Sequence, residues 1–247
     1  MISVAIPAYE SKGRAEEFAR FQFEIFTKQT YKDFEVVISD HSRDNIIKNV
    51  CDEYQDRLNI KHIKNEEGRG FSSYNINNAM KHCSGDIIKF LWFDDFLWNK
   101  HSLQYTHDAF DNDMNWVVSA IEHTRDDGKT FYRTYYCHHT EEQFQNNNQS
   151  PPRFLSDHRG LMCLGNNTFS GPSCLAIRNT KDKIFFDDRL IWLMDCDYYK
   201  RLYDKYGPPK ILNKITVVNR DHPEQLTHTM GSQIKQKEYN LMVQKYG

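Results

Sequence analysis

From Ile87 to Phe93 the chain is an almost unbroken apolar run of strand length, and the run stops at Asp94 and Asp95. Branched and aromatic side chains at consecutive positions, rather than alternate ones, predict a central strand buried on both faces. Three shorter runs precede it: Ile2 to Ile6, Phe34 to Ser39 and Leu58 to Ile63. Between the runs the apolar positions change to helical spacing, with Phe18, Phe21 and Ile25 in Ala15–Thr27 and Ile46, Ile47, Val50 and Tyr54 in 45–55. A further helix, Ser72 to Cys83, leads into the central strand. This alternation predicts an α/β fold: a mostly parallel sheet flanked by helices and joined by right-handed crossovers.

The second half is less regular. The pattern predicts a helix over Lys100–Asn112, then strands over Trp116–His123 and Lys129–Tyr136 closed into a hairpin by Asp126-Asp-Gly128. Glu141 to Pro152 is polar and rich in Asn and Gln, which predicts a loop or a mobile lid. A strand at Ser173–Ile177, a helix at Leu193–Tyr206 and a last strand at Ile215–Val218 follow, before a polar tail. No repeat and no linker divides the 247 residues, so a single domain, 1–247, is expected.

The net charge of −2 gives no basic field for nucleic acid. With 27% charged residues and a mean hydropathy of −0.77, the chain reads as soluble. The 14 Tyr and 16 Phe suit stacking on sugars or bases, although a bulky core uses them equally well. No apolar run approaches the ~20 residues needed to span a bilayer, which leaves only peripheral membrane contact open. The start, Met1-Ile-Ser-Val-Ala-Ile-Pro, lacks the basic region and long apolar core of a signal peptide. Six cysteines without a CxxC pair then predict free thiols in a reducing compartment, the cytoplasm. Adjacent histidines in a strand point to opposite faces, which argues against a zinc site at Cys137-His-His139.

Polar clusters end three of the first-half strands: Pro7–Glu10, Asp40–Asp44 and Asp94–Asp95. In a parallel sheet such ends converge on one edge, where open α/β folds bind ligands. Asp40 is placed to accept from a base or ribose, and Tyr9 to stack on a planar ring; an Asx-turn is the plainer use of Asp40. Adjacent carboxylates packed among aromatics are costly unless paired, solvated or bound to a cation. Neither GxGxxG nor GxxxxGK[ST] occurs, which disfavours dinucleotide redox enzymes and P-loop hydrolases.

In order and spacing the sequence resembles the inverting enzymes of glycosyltransferase family 2, which have the GT-A fold. Ile2-Ser-Val-Ala-Ile-Pro-Ala-Tyr-Glu stands where the family has a strand and Pro-x-Tyr-Asn, and Val37-Ile-Ser-Asp-His-Ser-Arg-Asp44 stands for Val-Val-Asp-Asp-Gly-Ser-x-Asp. Gly70 to Asn75 and Ala79 match the glycine loop and the helix after it, and Ser84 to Asp95 matches the stretch ending in Asp-x-Asp-Asp. Phe186-Asp-Asp-Arg-Leu190, Met194-Asp-Cys-Asp-Tyr-Tyr-Lys-Arg-Leu202 and Asn219-Arg-Asp-His-Pro-Glu-Gln-Leu-Thr227 complete the register.

The resemblance implies a nucleotide-sugar donor, UDP-linked by preference, a carbohydrate or lipid-linked acceptor, and Mn²⁺ or Mg²⁺. Residues 1–98 would hold the nucleotide and 99–247 the acceptor. Tyr9 and Asp40 would hold the base, with Pro7 shaping the pocket and Glu10, Gly70 and Asn75 on the same side. Asp94 and Asp95 would bind the ion, His222 would reach it, and Asp195 would take the acceptor proton. Four positions depart from the pattern: Trp92 replaces the first Asp of Asp-x-Asp, Ser39 an acid, Met194 a Glu and Glu10 an Asn. The rivals are a nucleotide-sugar or glycan-binding module without catalysis, which the missing acids make conceivable, and a sugar nucleotidyltransferase, which the missing Gly-x-Gly-Thr-Arg start disfavours.

Overall fold

The computed structural model describes residues 1–111, 113–136, 167 and 169–246. The polar segment 141–152 and Cys137–His139 lie outside the described residues. Strands β1 (Ile2–Ala8) and β2 (Phe34–Asp40) are buried along their whole length and pair in parallel, Ile2 opposite Phe34 through Ala8 opposite Asp40. β3 (Ile60–Lys64) adds an edge to β2, its Lys61 and Lys64 turned to solvent in the way edge strands discourage further pairing. β4 (Ile87–Phe90) pairs in parallel with the other side of β1.

Helix α1 (Ala15–Thr27) buries Ala15, Phe18, Ala19, Gln22, Phe23 and Phe26, the i, i+3, i+4 spacing of a core-facing stripe. Glu16 and Glu17 favour its first turn through the helix dipole. It packs against α2 (Ile46–Tyr54), and α3 (Ser72–His82) covers β1 and β2. With order β3-β2-β1-β4, the connections leave β1 in opposite directions, so a crevice opens beyond the ends of β1 and β4.

The remaining strands are β5 (Phe96–Leu97), β6 (Trp116–Thr124), β7 (Arg133–Tyr135), β8 (Leu175–Arg178) and β9 (Lys210–Arg220). β8 enters antiparallel between β4 and β6; β9 then pairs in parallel with β6, β5 antiparallel with β9, and β7 with β6. β6 and β7 pair as the expected hairpin, but β7 covers only Arg133–Tyr135 of the expected 129–136, and Asp127 and Gly128, both at positive φ (58° and 86°), lie in the eight-residue loop 125–132 between them. Helices α4 (Ser102–Asp108) and α5 (Met194–Tyr206) match the predicted ones within a few residues.

Two expectations need correcting. The apolar run 87–93 is a strand only to Phe90. Leu91 still donates to the Ala5 carbonyl at 3.0 Å, but the Trp92 N–H turns to Ser173 Oγ at 2.8 Å and the Asp95 N–H closes on the Trp92 carbonyl at 3.0 Å. Burial of Phe93 by tertiary packing, not by the ladder, explains the longer apolar run. Beyond β9 the chain is also not a mere polar tail: it forms a short helix α6 (Leu226–Thr229) and a long helix α7 (Ser232–Tyr246). Along α7 only Glu238 and Met242 are buried, with Leu241 and Tyr246 packed against the core beside Met242, so it docks through a narrow apolar contact and a buried carboxylate rather than a continuous apolar stripe. Among the described residues, no helix is long and apolar enough to cross a membrane.

Candidate active site

The turn after β4 is held by groups from distant parts of the chain. The Gln22 amide nitrogen on α1 reaches the carbonyls of Trp92, Phe93 and Asp95 at 3.1, 3.0 and 2.6 Å. Asp95 is buried, and both its oxygens are engaged: Oδ2 accepts from Ser173 Oγ at 2.5 Å, and Oδ1 from Asn219 Nδ2 at 2.8 Å and the Arg220 N–H at 3.3 Å. Burial, and then the neighbouring Asp94 charge, push the Asp95 carboxyl up to about 7. Arg220 donates to the Asp94 carbonyl at 2.7 Å, while its guanidinium lies over the rings of Phe18, Phe21 and Phe96 and beside Asp127. Asp94 itself points the other way, its Oδ2 3.1 Å from His222 Nε2.

A cleft of about 410 Å³ takes in Asp94, Asp95 and Asp195 together, walled by Trp92, Trp192 and Asn219. Asp195 opens α5 at the far side. Its Oδ1 accepts the Cys196 N–H and its Oδ2 the Asn167 amide, each at 2.7 Å. Burial still outweighs these bonds and pushes its carboxyl up to about 6. The carboxylates to which the family resemblance gives the ion and base roles thus come from opposite halves of the chain and line one cleft.

The other expected residues lie apart from this cleft, around the ends of β1 and β2. Pro7 is buried within β1, opposite Ser39. Tyr9 is 46% exposed, its phenol raised first by desolvation and then by the charge of Asp94. Glu10 Oε1 accepts the Arg43 N–H at 3.0 Å, tying the ends of the two strands together. Asn75 donates to the Ala8 carbonyl at 2.9 Å, and Gly70, at φ +94°, takes a backbone conformation that side chains disfavour.

Asp40 is wholly buried and already occupied. Its Oδ1 accepts the Ser42 N–H at 2.7 Å, the Asx-turn bond, and its Oδ2 lies 3.0 Å from His62 Nε2 and 3.5 Å from Lys64 Nζ. Desolvation opposes its charge, but the bonds from His62 and Ser42 prevail and hold the carboxyl below its ordinary value. Behind it His41 Nε2 sits 3.0 Å from both the Glu67 carbonyl and Asn65 Nδ2, and Arg69 donates to the His41 carbonyl at 2.7 Å. His62, Ser173, Asn167 and Arg220 carry much of this geometry without having been singled out as site residues. Only Arg220 lay inside a quoted motif; the others are joined to the site by tertiary contact alone.

No curated protein gives a significant match to the chain. The sequence profile described as Glycosyl transferase family 2 matches residues 3–185. The chain belongs to glycosyltransferase family 2. Among solved structures it is similar to S. aureus TarS 1-349 in complex with UDP-GlcNAc, with a TM-score of 0.66 and 15% identity over 99% of this chain and 67% of that one. It spans 42% of the longer S. aureus TarS chain, at 17% identity over 98% of its own length and a TM-score of 0.65. It is also similar to the mannosyltransferase PcManGT from Pyrobaculum calidifontis in complex with GDP-Man and Mn²⁺, at 15% identity and a TM-score of 0.59 over 90% of this chain and 57% of that one. These likenesses identify the fold as GT-A.

Proposed function

We propose that the chain is an inverting glycosyltransferase that moves a sugar from a nucleotide-diphosphate donor, UDP-linked by preference, to a hydroxyl of a carbohydrate or lipid-linked acceptor. The observation that carries this reading is the meeting of Asp94 and Asp195 across one cleft. Asp195, pushed up to about 6 by burial, is poised near neutrality to take the acceptor proton as that oxygen attacks the anomeric carbon. The wall of Trp92 and Trp192 offers apolar ring faces against which a sugar can lie.

The donor set beside the cleft fits a divalent ion. A carboxylate oxygen and an imidazole nitrogen 3.1 Å apart match two neighbouring ligands of an ion that binds each at about 2.1 Å. Among the described residues no cluster of three or more acidic, His or Cys side chains forms an ion site, so the ion of this reading would need its remaining ligands from substrate phosphates and water. Asp94 and His222 would hold Mn²⁺ or Mg²⁺, with Asp95 fixing the turn that presents Asp94. When bound, the ion offsets the charge that develops on the departing diphosphate. Tyr9, Pro7, Glu10, Gly70 and Asn75 would form the nucleotide side within residues 1–98, and Asp40 would brace it through His62 and the 41–44 loop. Residues 99–247 would carry the acceptor side. The free thiols Cys51, Cys83, Cys174 and Cys196 support a cytoplasmic location.

Calorimetric titration of UDP with and without Mn²⁺ tests the binding half of this reading. Mn²⁺ is expected to tighten UDP binding by at least tenfold in the wild type, and Asp94→Ala to abolish that gain while melting cooperatively. UDP affinity indifferent to Mn²⁺ in the wild type would remove the ion from the scheme. Turnover of nucleotide sugars by the wild type separates an enzyme from a binding module.

A further inference from the structure

The C-terminal helix reaches back to the segment that carries the candidate base. Glu238, on α7, is 4% exposed. Its Oε1 accepts the Ile191 N–H at 2.8 Å, and its Oε2 accepts the N–H groups of Trp192 and Leu193 at 2.9 Å each. Three consecutive backbone donors converge on one buried carboxylate. These residues run into α5, with Leu193 as its N-cap, so the carboxylate sits just ahead of the helix N-terminus, where a negative charge is favoured. The segment so held bears Trp192 and Leu193 on the cleft wall and runs straight into Met194 and Asp195 at the start of α5.

Lower down, α7 grips the same helix again. Lys245 and the Tyr246 hydroxyl both bond Asp197, which is fully buried and also pairs with Arg201. Lys245 additionally pairs with Asp187 at 2.9 Å. The start of α5 is therefore clamped on both flanks by one helix, Glu238 before Asp195 and Lys245 with Tyr246 after it. No side chain of α7 lines the cleft, so its influence runs through the backbone it holds.

We propose that Glu238 is a positioning residue for sugar transfer, which fixes the 191–193 backbone and thereby the direction in which Trp192 and Asp195 face the cleft. This rests on the assignment of Asp195 as the base. The substitution Glu238→Gln keeps size and shape but leaves a single acceptor oxygen. Whichever way the amide turns, its NH₂ faces at least one N–H of 191–193, and a buried donor is left without an acceptor.

The test compares wild type with Glu238→Gln, and with Glu238→Asp as a conservative variant whose shorter carboxylate keeps both oxygens. Amide exchange is followed across 188–198, UDP binding is titrated with Mn²⁺, and UDP release is measured from UDP-GlcNAc or, if that is not turned over, from the nucleotide sugar the wild type uses fastest. In Glu238→Gln the amides of 191–195 should exchange at least tenfold faster and kcat should fall about tenfold. The UDP dissociation constant and the donor KM should stay within twofold, and Glu238→Asp should recover part of kcat. Helix docking alone would lower the melting temperature without this split between kcat and KM. Unchanged exchange at 191–195, or an unchanged kcat in Glu238→Gln, overturns the proposal. If Asp195→Asn keeps full kcat while Glu238→Gln loses it, the base assignment falls and Glu238 positions another group on the same segment.

Discussion

Asp195, the proposed base, would tie catalysis to stability in a way that can be measured without knowing the acceptor. In the folded protein its carboxyl is pushed from an ordinary 3.8 up to about 6, because burial outweighs the two bonds it accepts. In the unfolded chain it reverts to the lower value. Between these two values the unfolded state has lost its proton while the folded state keeps it, so the stability of the fold falls as pH rises from about 4 to 6. Two pKa units correspond to about 3 kcal/mol, nearly all of it present at pH 8 and roughly half of it accumulating between pH 5 and 8. Asp195→Asn cannot ionise and escapes that penalty. The amide oxygen can still accept from Cys196, but the NH₂ then meets the Asn167 side chain, whose own Oδ1 is taken by the Phe169 N–H. Losing that bond costs about 1 kcal/mol. The variant should therefore be more stable than wild type by about 1–2 kcal/mol at pH 8, and melt roughly 2–8 °C higher. Sugar transfer should fall by ~10²–10⁴-fold, the usual worth of a general base. Urea titrations at pH 5, 6.5 and 8 read the stability difference, which should widen toward pH 8. A variant equal to or less stable than wild type at pH 8, with no pH trend in the difference, would refute the reasoning.

Asp40→Asn should behave oppositely. The folded state depresses this carboxyl, so its contribution is present above the unfolded value and is lost as pH falls through the folded one; the variant should lose about 1–3 kcal/mol at pH 7 and converge on wild type in acid, read by the same urea titrations. Its UDP affinity, measured calorimetrically, should weaken as the 41–44 loop loosens, whereas unaltered binding would take Asp40 out of the nucleotide site altogether. Ser173→Ala removes both the donor to Asp95 and the acceptor of the Trp92 N–H, which should cost about 2–4 kcal/mol and lower the melting temperature by roughly 5–15 °C, checked by scanning calorimetry.

The first half of the fold was legible because its physics is local. Buried parallel strands read as apolar runs, helices between them as apolar stripes, and the polar residues at strand ends marked the edge where the crevice opens. Asp94, His222 and Asp195 were readable as candidates because they stand in spaced motifs. What escaped was set by long-range polar contact. Nothing near Gln22 signals that its amide will hold the 92–95 turn, and nothing near Ser173 signals Asp95. The strand ending at Phe90 read as three residues longer because an apolar side chain buried by a neighbouring helix looks the same, in sequence, as one buried by a ladder. Helix α7 was invisible for the converse reason: beside Met242 in the core, much of its anchoring falls to a buried carboxylate and a lysine, residue types that ordinarily signal solvent.

The insertion of β8 between β4 and β6 means that neither half of the chain can be finished alone. β4 has β1 on one side, and its other edge is covered only by Leu175–Arg178, more than eighty residues further along. A break in the backbone near residue 98 would leave Ile87, Ile88 and Lys89 with unpaired peptide groups along a flat apolar edge, the situation that promotes intermolecular pairing. The same break would separate Asp95 from Ser173 and Asn219. Two co-expressed fragments would thus have every reason to find each other, while either one alone would be prone to aggregate. The proposed division between a donor side and an acceptor side would thus be laid over one continuous sheet.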